Sequence, residues 1–230
     1  QNIKNIGYEF TKQDNGVLTI ATTHTLARYI LPPIIAEFIG MYPKVSLNIK
    51  QGTPSDIQQM VSEGKVDFAI TPELPETIEE LRNIPCFRWH YGLIVPNDHP
   101  LLDHKGALTL PLITQYPLIT YEFAFNQGTN IVRAFHKADI PPPNAALSVA
   151  DNDVLKTYVK LGLGIGIMAK AAYEPKTDSD LTLIDISQLI EPCYSSLLFR
   201  PDSYLRGYIY DFIGLFNPSL TKERLDQLLY

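Results

Sequence analysis

The sequence predicts an α/β protein built from two similar lobes, and three observations carry that expectation. Strand-like and helix-like patterns alternate from Gly16 onward, as they do where crossover helices cover parallel sheets. The same set of parts begins again near Trp89. A chain of 230 residues with 45% apolar and 10% aromatic side chains can fill one large core or two modest ones.

Ile3, Ile6 and Phe10 are spaced as in a helix, and Lys12 to Gly16 breaks that pattern with turn chemistry. Val17 to Ala21 reads as a buried strand running into Thr22-Thr23-His24-Thr25. Pro32 and Pro33 suit a first helical turn, so the next helix is expected to start there, with Ile35, Phe38, Ile39 and Tyr42 on one face and Pro43 as its stop. Val45, Leu47 and Ile49 alternate with polar residues as a strand does. Thr53-Pro54-Ser55-Asp56 then opens a helix that carries Ile57, Met60 and Val61 and stops at Gly64. Asp67 to Ile70 is the third strand of this first set, and Pro72 to Pro85, rich in Pro and Glu, reads as a loop.

In the second set, strands are expected at 91–95, 117–121, 146–150 and 165–168. Helices are expected at 128–138 and, after the cap Asp151-Asn152-Asp153, through Val154, Leu155, Tyr158 and Val159 to Gly162. Lys170 to Asp180 reads as a loop. Strands at 181–186 and 194–199 follow, then helices at 203–216 and from about Thr221.

Charge and cysteine content exclude several classes. Nineteen basic residues against 25 acidic ones leave a net charge of −6, so the chain lacks the positive footprint of a protein that grips phosphate backbones, and we expect weak DNA binding from it alone. No apolar run approaches the roughly 20 residues of a membrane span, and the start lacks a basic-then-apolar signal, which points to a cytoplasmic protein without a membrane partner. Cys86 and Cys193 are too few for a disulfide framework and are expected as free thiols.

Gly162-Leu163-Gly164-Ile165-Gly166 ends a helix and opens a strand, the reverse of a dinucleotide fingerprint, so it reads as a helix stop and tight turn. The five histidines have no metal-ligand spacing, and no nucleophile elbow, phosphate loop or carboxylate pair appears. The chain therefore offers no catalytic residue, metal or cofactor site, and an enzyme is not expected. Thr22-Thr23-His24-Thr25 is the most informative spot, because it lies where a strand ends and a helix begins, a place that favours anions. Its hydroxyls either add donors for a small anion or cap the helix, and spacing alone leaves both open. Thr71-Pro72-Glu73 and Asn126-Gln127-Gly128-Thr129 occupy the same strand-to-helix position elsewhere.

At these residues the chain resembles the effector-binding domain of LysR-type transcriptional regulators of the CysB group. The resemblance rests on Gly16 to Thr25 with Ala27-Arg28-Tyr29, on Gln51-Gly52-Thr53-Pro54, Asp67-Phe68-Ala69-Ile70 and Asp98-His99-Pro100-Leu101, and on Val154-x-Lys156-Thr157-Tyr158-Val159. It runs from Gly16 to about Leu220.

That likeness implies two Rossmann-like lobes joined by two crossover strands, a periplasmic-binding-protein type II-like fold with the effector between the lobes. Lobe I would comprise residues 14–88 and 193–230, lobe II residues 89–192, and residues 1–13 the end of a linker helix. It implies a sensor for O-acetylserine, N-acetylserine, sulfate or thiosulfate in the control of sulfur assimilation and cysteine biosynthesis. A homodimer or tetramer would reach promoter DNA only through an N-terminal domain outside these residues. Thr23 and Thr25 carry over from the family's anion site. Leu26 stands where the family commonly has glutamine, Pro72 where it has threonine after Thr71, and Asn126-Gln127 where it has threonine before glycine. A buried anion oxygen left without its donor costs about 1–3 kcal/mol, so these three departures are expected to alter pose or effector unless Thr71 or Asn126 compensates. A transporter's solute-binding protein is the alternative with the same architecture, and a two-lobe enzyme is a third reading.

Overall fold

The computed structural model describes residues 15–72, 80–201 and 203–229; the expected linker end at 1–13 lies outside them. The described residues form two compact units, one from those within 1–87 and 194–230 and the other from those within 88–193. In chain order the first unit contains β1 (Asn15–Thr22), α1 (Leu31–Met41), β2 (Lys44–Gln51), α2 (Pro54–Ser62), β3 (Phe68–Pro72) and β4 (Arg82–Trp89). The second holds β5 (Tyr91–Pro96), α3 (Leu110–Ile113), β6 (Leu118–Tyr121), α4 (Asn130–Lys137), β7 (Leu147–Val149), α5 (Asn152–Lys160), β8 (Ile165–Ala169) and β9 (Leu181–Asp185). β10 (Cys193–Phe199), α6 (Gly207–Phe216) and α7 (Lys222–Leu229) complete the first.

The first sheet has the order β2-β1-β3-β10-β4. β1 pairs in parallel with β2 from Asn15↔Lys44 to Thr22↔Gln51, and with β3 through Ile20↔Phe68 and Thr22↔Ile70. β10 pairs antiparallel with β3. The parallel pairing expected from the alternating pattern holds for β1, β2 and β3, and β10 makes the sheet mixed. A parallel neighbour needs a crossover within the unit, and β10 arrives only after the chain has traversed the other unit.

Strand alternation gives this sheet two unlike faces. Leu18, Ile20, Phe68, Ile70, Leu197 and Phe199 build the larger core with Phe38 of α1 and Phe212 of α6. The rings of Phe38 and Phe212 meet edge-on at 5.2 Å, and Phe68 stacks on Phe199 at 5.5 Å. The intervening Ala21, Ala69 and Leu198 pack with Ile57 and Val61 of α2, the alanines letting that helix lie close.

Three local expectations are corrected. The helical backbone begins before Pro32, because Leu26–Ile30 forms a π-helical turn closed by a bond from the Leu31 N–H to the Leu26 carbonyl. Pro32 and Pro33 cannot donate to the carbonyls four residues back, so the wider turn takes over. The loop expected through Pro85 contains β4 from Arg82, with Ile84 and Cys86 buried and Pro85 exposed. A proline is tolerated there because β4 is an edge strand. Ile39, grouped with Phe38 on one helix face, is exposed while Phe38 is buried, and Val154 is exposed as well.

The second sheet repeats the arrangement as β7-β6-β8-β5-β9, with β6 parallel to β7 and β8 and β5 antiparallel to β8 and β9. α5 ends where Gly162 takes φ +72°, and Gly164 and Gly166 lie so close to Pro117 and Leu155 that neither has room for a Cβ. The glycine run is therefore a helix stop and a packing device, as its context indicates. Neither cysteine is in a disulfide among the described residues. The Cys86 thiol donates to the Ser195 carbonyl at 3.2 Å, and burial pushes its pKa up to about 12.

Candidate functional site

Three chain segments bring hydroxyls to the carboxyl edge of the first sheet: the end of β1, the end of β3 and, because it runs antiparallel, the beginning of β10. Thr22 is fully buried, Thr71 is 2% exposed, and Ser195 and Ser196 are 1% and 0% exposed. None of these four hydroxyls has a hydrogen-bond partner among the described residues. Ser196 stands directly opposite Thr71 in the β10–β3 ladder, a separation of about 4.5–5.5 Å between Cβ atoms. By alternation Thr71 and Ser196 share the α2 face, whereas Thr22 and Ser195 share the face toward α1 and α6.

Thr23, 8% exposed, accepts a 3.4 Å bond from the Leu26 N–H, and Ala27 N–H donates to the Thr23 carbonyl at 3.1 Å. Its hydroxyl thus caps the turn as an acceptor and keeps its own hydrogen for donation. Thr25 is half-buried and makes no side-chain capping bond. Capping therefore accounts for Thr23 in part and for Thr25 not at all. Leu26 is 5% exposed and belongs to the larger core, so its side chain fills the interior. Pro72 is half-buried at the end of β3 and faces Ser195 in the ladder. The neighbouring Thr53 opens α2 through a reciprocal cap with Asp56, and its hydroxyl and amide hold that carboxyl below the usual carboxylate range.

In the second unit Asn126 and Gln127 are both exposed, on a turn closed by bonds from Asn126 N–H to the Phe123 carbonyl and from Thr129 N–H to the Asn126 carbonyl. Thr129 caps α4 by accepting from Val132 N–H and donates to the Ala124 carbonyl at 2.7 Å. The fully buried Thr120 donates to the Ile167 carbonyl at 2.8 Å. Tyr121 donates to Asn152 Oδ1 at 2.5 Å and accepts from Ala169 N–H at 2.8 Å. Lys156 and Asp178, each 6% exposed in its side chain, form a 2.7 Å ion pair.

Thr22-Thr23-His24-Thr25 and Thr71, singled out in the sequence, thus lie at this edge together with Ser195 and Ser196, which the sequence reading did not name. The available signal was the pair Ser195-Ser196 opening an otherwise apolar strand.

Two α/β units of matching strand order, one with donor-rich hydroxyls at a sheet's carboxyl edge, define a ligand-binding protein of the periplasmic-binding-protein type II-like class. The family model "LysR substrate binding domain" matches residues 11–220. The chain belongs to this family. It is 43% identical over 229 residues to the HTH-type transcriptional regulator CysB of Burkholderia cenocepacia, covering 100% of this chain and 72% of that one. It is 44% identical over 227 residues to CysB of Haemophilus influenzae, covering 99% and 69%. The crystal structure of the cofactor-binding domain of the Cbl transcriptional regulator superposes with a TM-score of 0.86 at 38% identity, over 95% of each chain. These relatives are transcriptional regulators and not enzymes. No helix among the described residues is long and apolar enough to cross a membrane.

Proposed function

We propose that this chain is the sensing part of a cytoplasmic LysR-type regulator of sulfur assimilation and cysteine biosynthesis, and that it takes a compact oxyanion-bearing effector: O-acetylserine, N-acetylserine, sulfate or thiosulfate. Residues 14–88 with 193–230 act as effector-binding lobe I and residues 89–192 as lobe II. One observation carries this reading: at the carboxyl edge of the first sheet, where β1 runs into Thr23, four buried hydroxyls, two on each face, have no partner among the described residues. An unpaired buried hydroxyl costs about 1–3 kcal/mol, and an acceptor-rich ligand relieves that cost. The donors carry no charge, which suits an anion that must be released again.

On the first lobe Thr23, Thr25 and Thr71 donate to an effector; on the second lobe the exposed Asn126 and Gln127 offer amides to one. Leu26 and Pro72 offer no side-chain donor, so they set preference by what they fail to hold. The kinship to regulators favours this reading over a transporter's solute-binding protein. Effector binding shifts the regulator's equilibrium only as far as it prefers one arrangement over another. DNA contact belongs to an N-terminal domain outside these residues.

A thermal-shift panel with the four effectors tests the site. A ligand at 100 times its Kd stabilises by about 2.7 kcal/mol, and Thr23→Ala and Thr25→Ala are expected to abolish that gain while circular dichroism stays native. Unchanged gains in both variants would return the threonines to local structural roles. The chain also pairs with copies of itself, as a homodimer or tetramer, and the exposed Ile39 and Met41 of α1 and Val154 of α5 supply apolar surface for it. Sedimentation that finds only monomer at micromolar concentration removes this part.

A further inference from the structure

A side chain outside the proposed effector contacts ties two parts of the second unit together. Glu191 and Pro192 are the last residues before β10, and the backbone carbonyls of both accept from one side-chain amide, that of Asn130: its Nδ2 stands 3.2 Å from the Glu191 oxygen and 2.7 Å from the Pro192 oxygen. Consecutive carbonyls of an extended strand point to opposite sides, so one NH2 that reaches both marks a bend in the chain just ahead of β10. Pro192 has no N–H to give a neighbour, and the bend is tied through its oxygens instead. The orientation of the amide is fixed twice over. The two carbonyls require its two hydrogens, and the guanidinium of Arg133, which can only donate, takes Oδ1.

Asn130 is the first residue of α4 and follows directly on the turn that carries Asn126 and Gln127. That turn is itself held: Asn126 N–H donates to the Phe123 carbonyl, Thr129 N–H to the Asn126 carbonyl and the Thr129 hydroxyl to the Ala124 carbonyl. On its other side the bend leads through Cys193 and Tyr194 into Ser195 and Ser196, which stand in the ladder with β3. Lys137 also pairs with the Glu191 carboxylate, but both side chains are exposed and surface pairs of this kind contribute little. The amide of Asn130 is therefore the main tie between the turn and the bend.

We propose that Asn130 is a positioning residue: its amide pins the bend at Glu191 and Pro192 to the start of α4, and a ligand held by Asn126 and Gln127 acts on the start of β10 through this pin. The coupling rests on the function proposed above; the pin does not.

Hydrogen–deuterium exchange of the amides of residues 193–196, in the parent chain and in Asn130→Asp, with and without O-acetylserine or sulfate, tests the pin and the coupling. Aspartate has the size of asparagine but no N–H donor, and it suits the first turn of a helix, so α4 is expected to persist by circular dichroism. Without ligand, exchange at 193–196 is expected to rise about tenfold in the variant, while the amides of β6 and β8 keep the parent's rates. With ligand, protection of 126–130 is expected to extend to 193–196 in the parent and to be confined to 126–130 in the variant. If Asn130→Asp does not fold, Asn130→Ala is read in the same way. Unchanged exchange at 193–196 in the ligand-free variant overturns the pin, and so does an equal rise throughout the second unit, since a general loss of stability then accounts for it. Ligand protection that still reaches 193–196 in the variant overturns the coupling. A parent chain in which neither ligand protects any amide contradicts the proposed function and the coupling with it, and the ligand-free comparison still decides the pin.

Discussion

In the first unit the buried hydroxyls of Thr22, Thr71, Ser195 and Ser196 stand without partners at one sheet edge. In the second, the same strand order surrounds polar groups that are bonded to one another: Thr120 to Ile167, Tyr121 to Asn152 and Ala169, Thr129 to Ala124, and Lys156 to Asp178. Its unpartnered buried atoms, Trp89 Nε1 and His90 Nδ1, lie where the chain enters the unit. Two sheets built alike therefore use polarity differently. Satisfied groups in the second unit fix its internal geometry, whereas the first unit's four hydroxyls have no partner among the described residues, which is the feature the proposed effector site rests on.

That contrast is open to breaking at several strengths. Lys156→Met removes one half of a buried ion pair and leaves Asp178 charged inside, still accepting from Glu174 N–H at 2.9 Å. A loss of about 3–5 kcal/mol is expected in denaturant unfolding, and a loss below 1 kcal/mol would show that the pair does not hold the unit together. Tyr121→Phe removes the hydroxyl that donates to Asn152 Oδ1 and accepts from the Ala169 N–H, with an expected cost of about 1–3 kcal/mol by the same measurement. A neutral result there would make the second unit's network as dispensable as the first unit's hydroxyls, and the comparison would fail.

Much of this was legible because strand and helix periods are local signals. β1, β2, β3 and the repeat of the set after Trp89 follow from alternation, caps and glycine stops that lie close together in sequence. β4 was hidden by Pro85, whose meaning depends on standing in an edge strand, a fact of pairing that no local pattern carries. The π-helical turn was hidden because Pro32 and Pro33 mark a helix start by propensity, while their effect on the preceding carbonyls appears only once the backbone continues through them. In the site, Thr22 to Thr25 were visible as consecutive polar residues after an apolar strand. Ser196 was not, because it meets Thr71 only across a ladder joining distant parts of the chain. Leu26 drew attention as a departure from its relatives' residue, yet its position on the turn sends the side chain into the core.

The most direct measurement is the double variant Thr71→Val with Ser196→Ala, followed in parallel by ligand-free unfolding and by titration with sulfate and O-acetylserine. If those hydroxyls serve a ligand, the free protein keeps its stability within about 0.5 kcal/mol or gains some, because two unpaired polar groups have left the interior, and effector affinity falls about tenfold or more. Destabilisation beyond about 1 kcal/mol with affinity intact would contradict the account, since the hydroxyls would then support the fold and not the ligand.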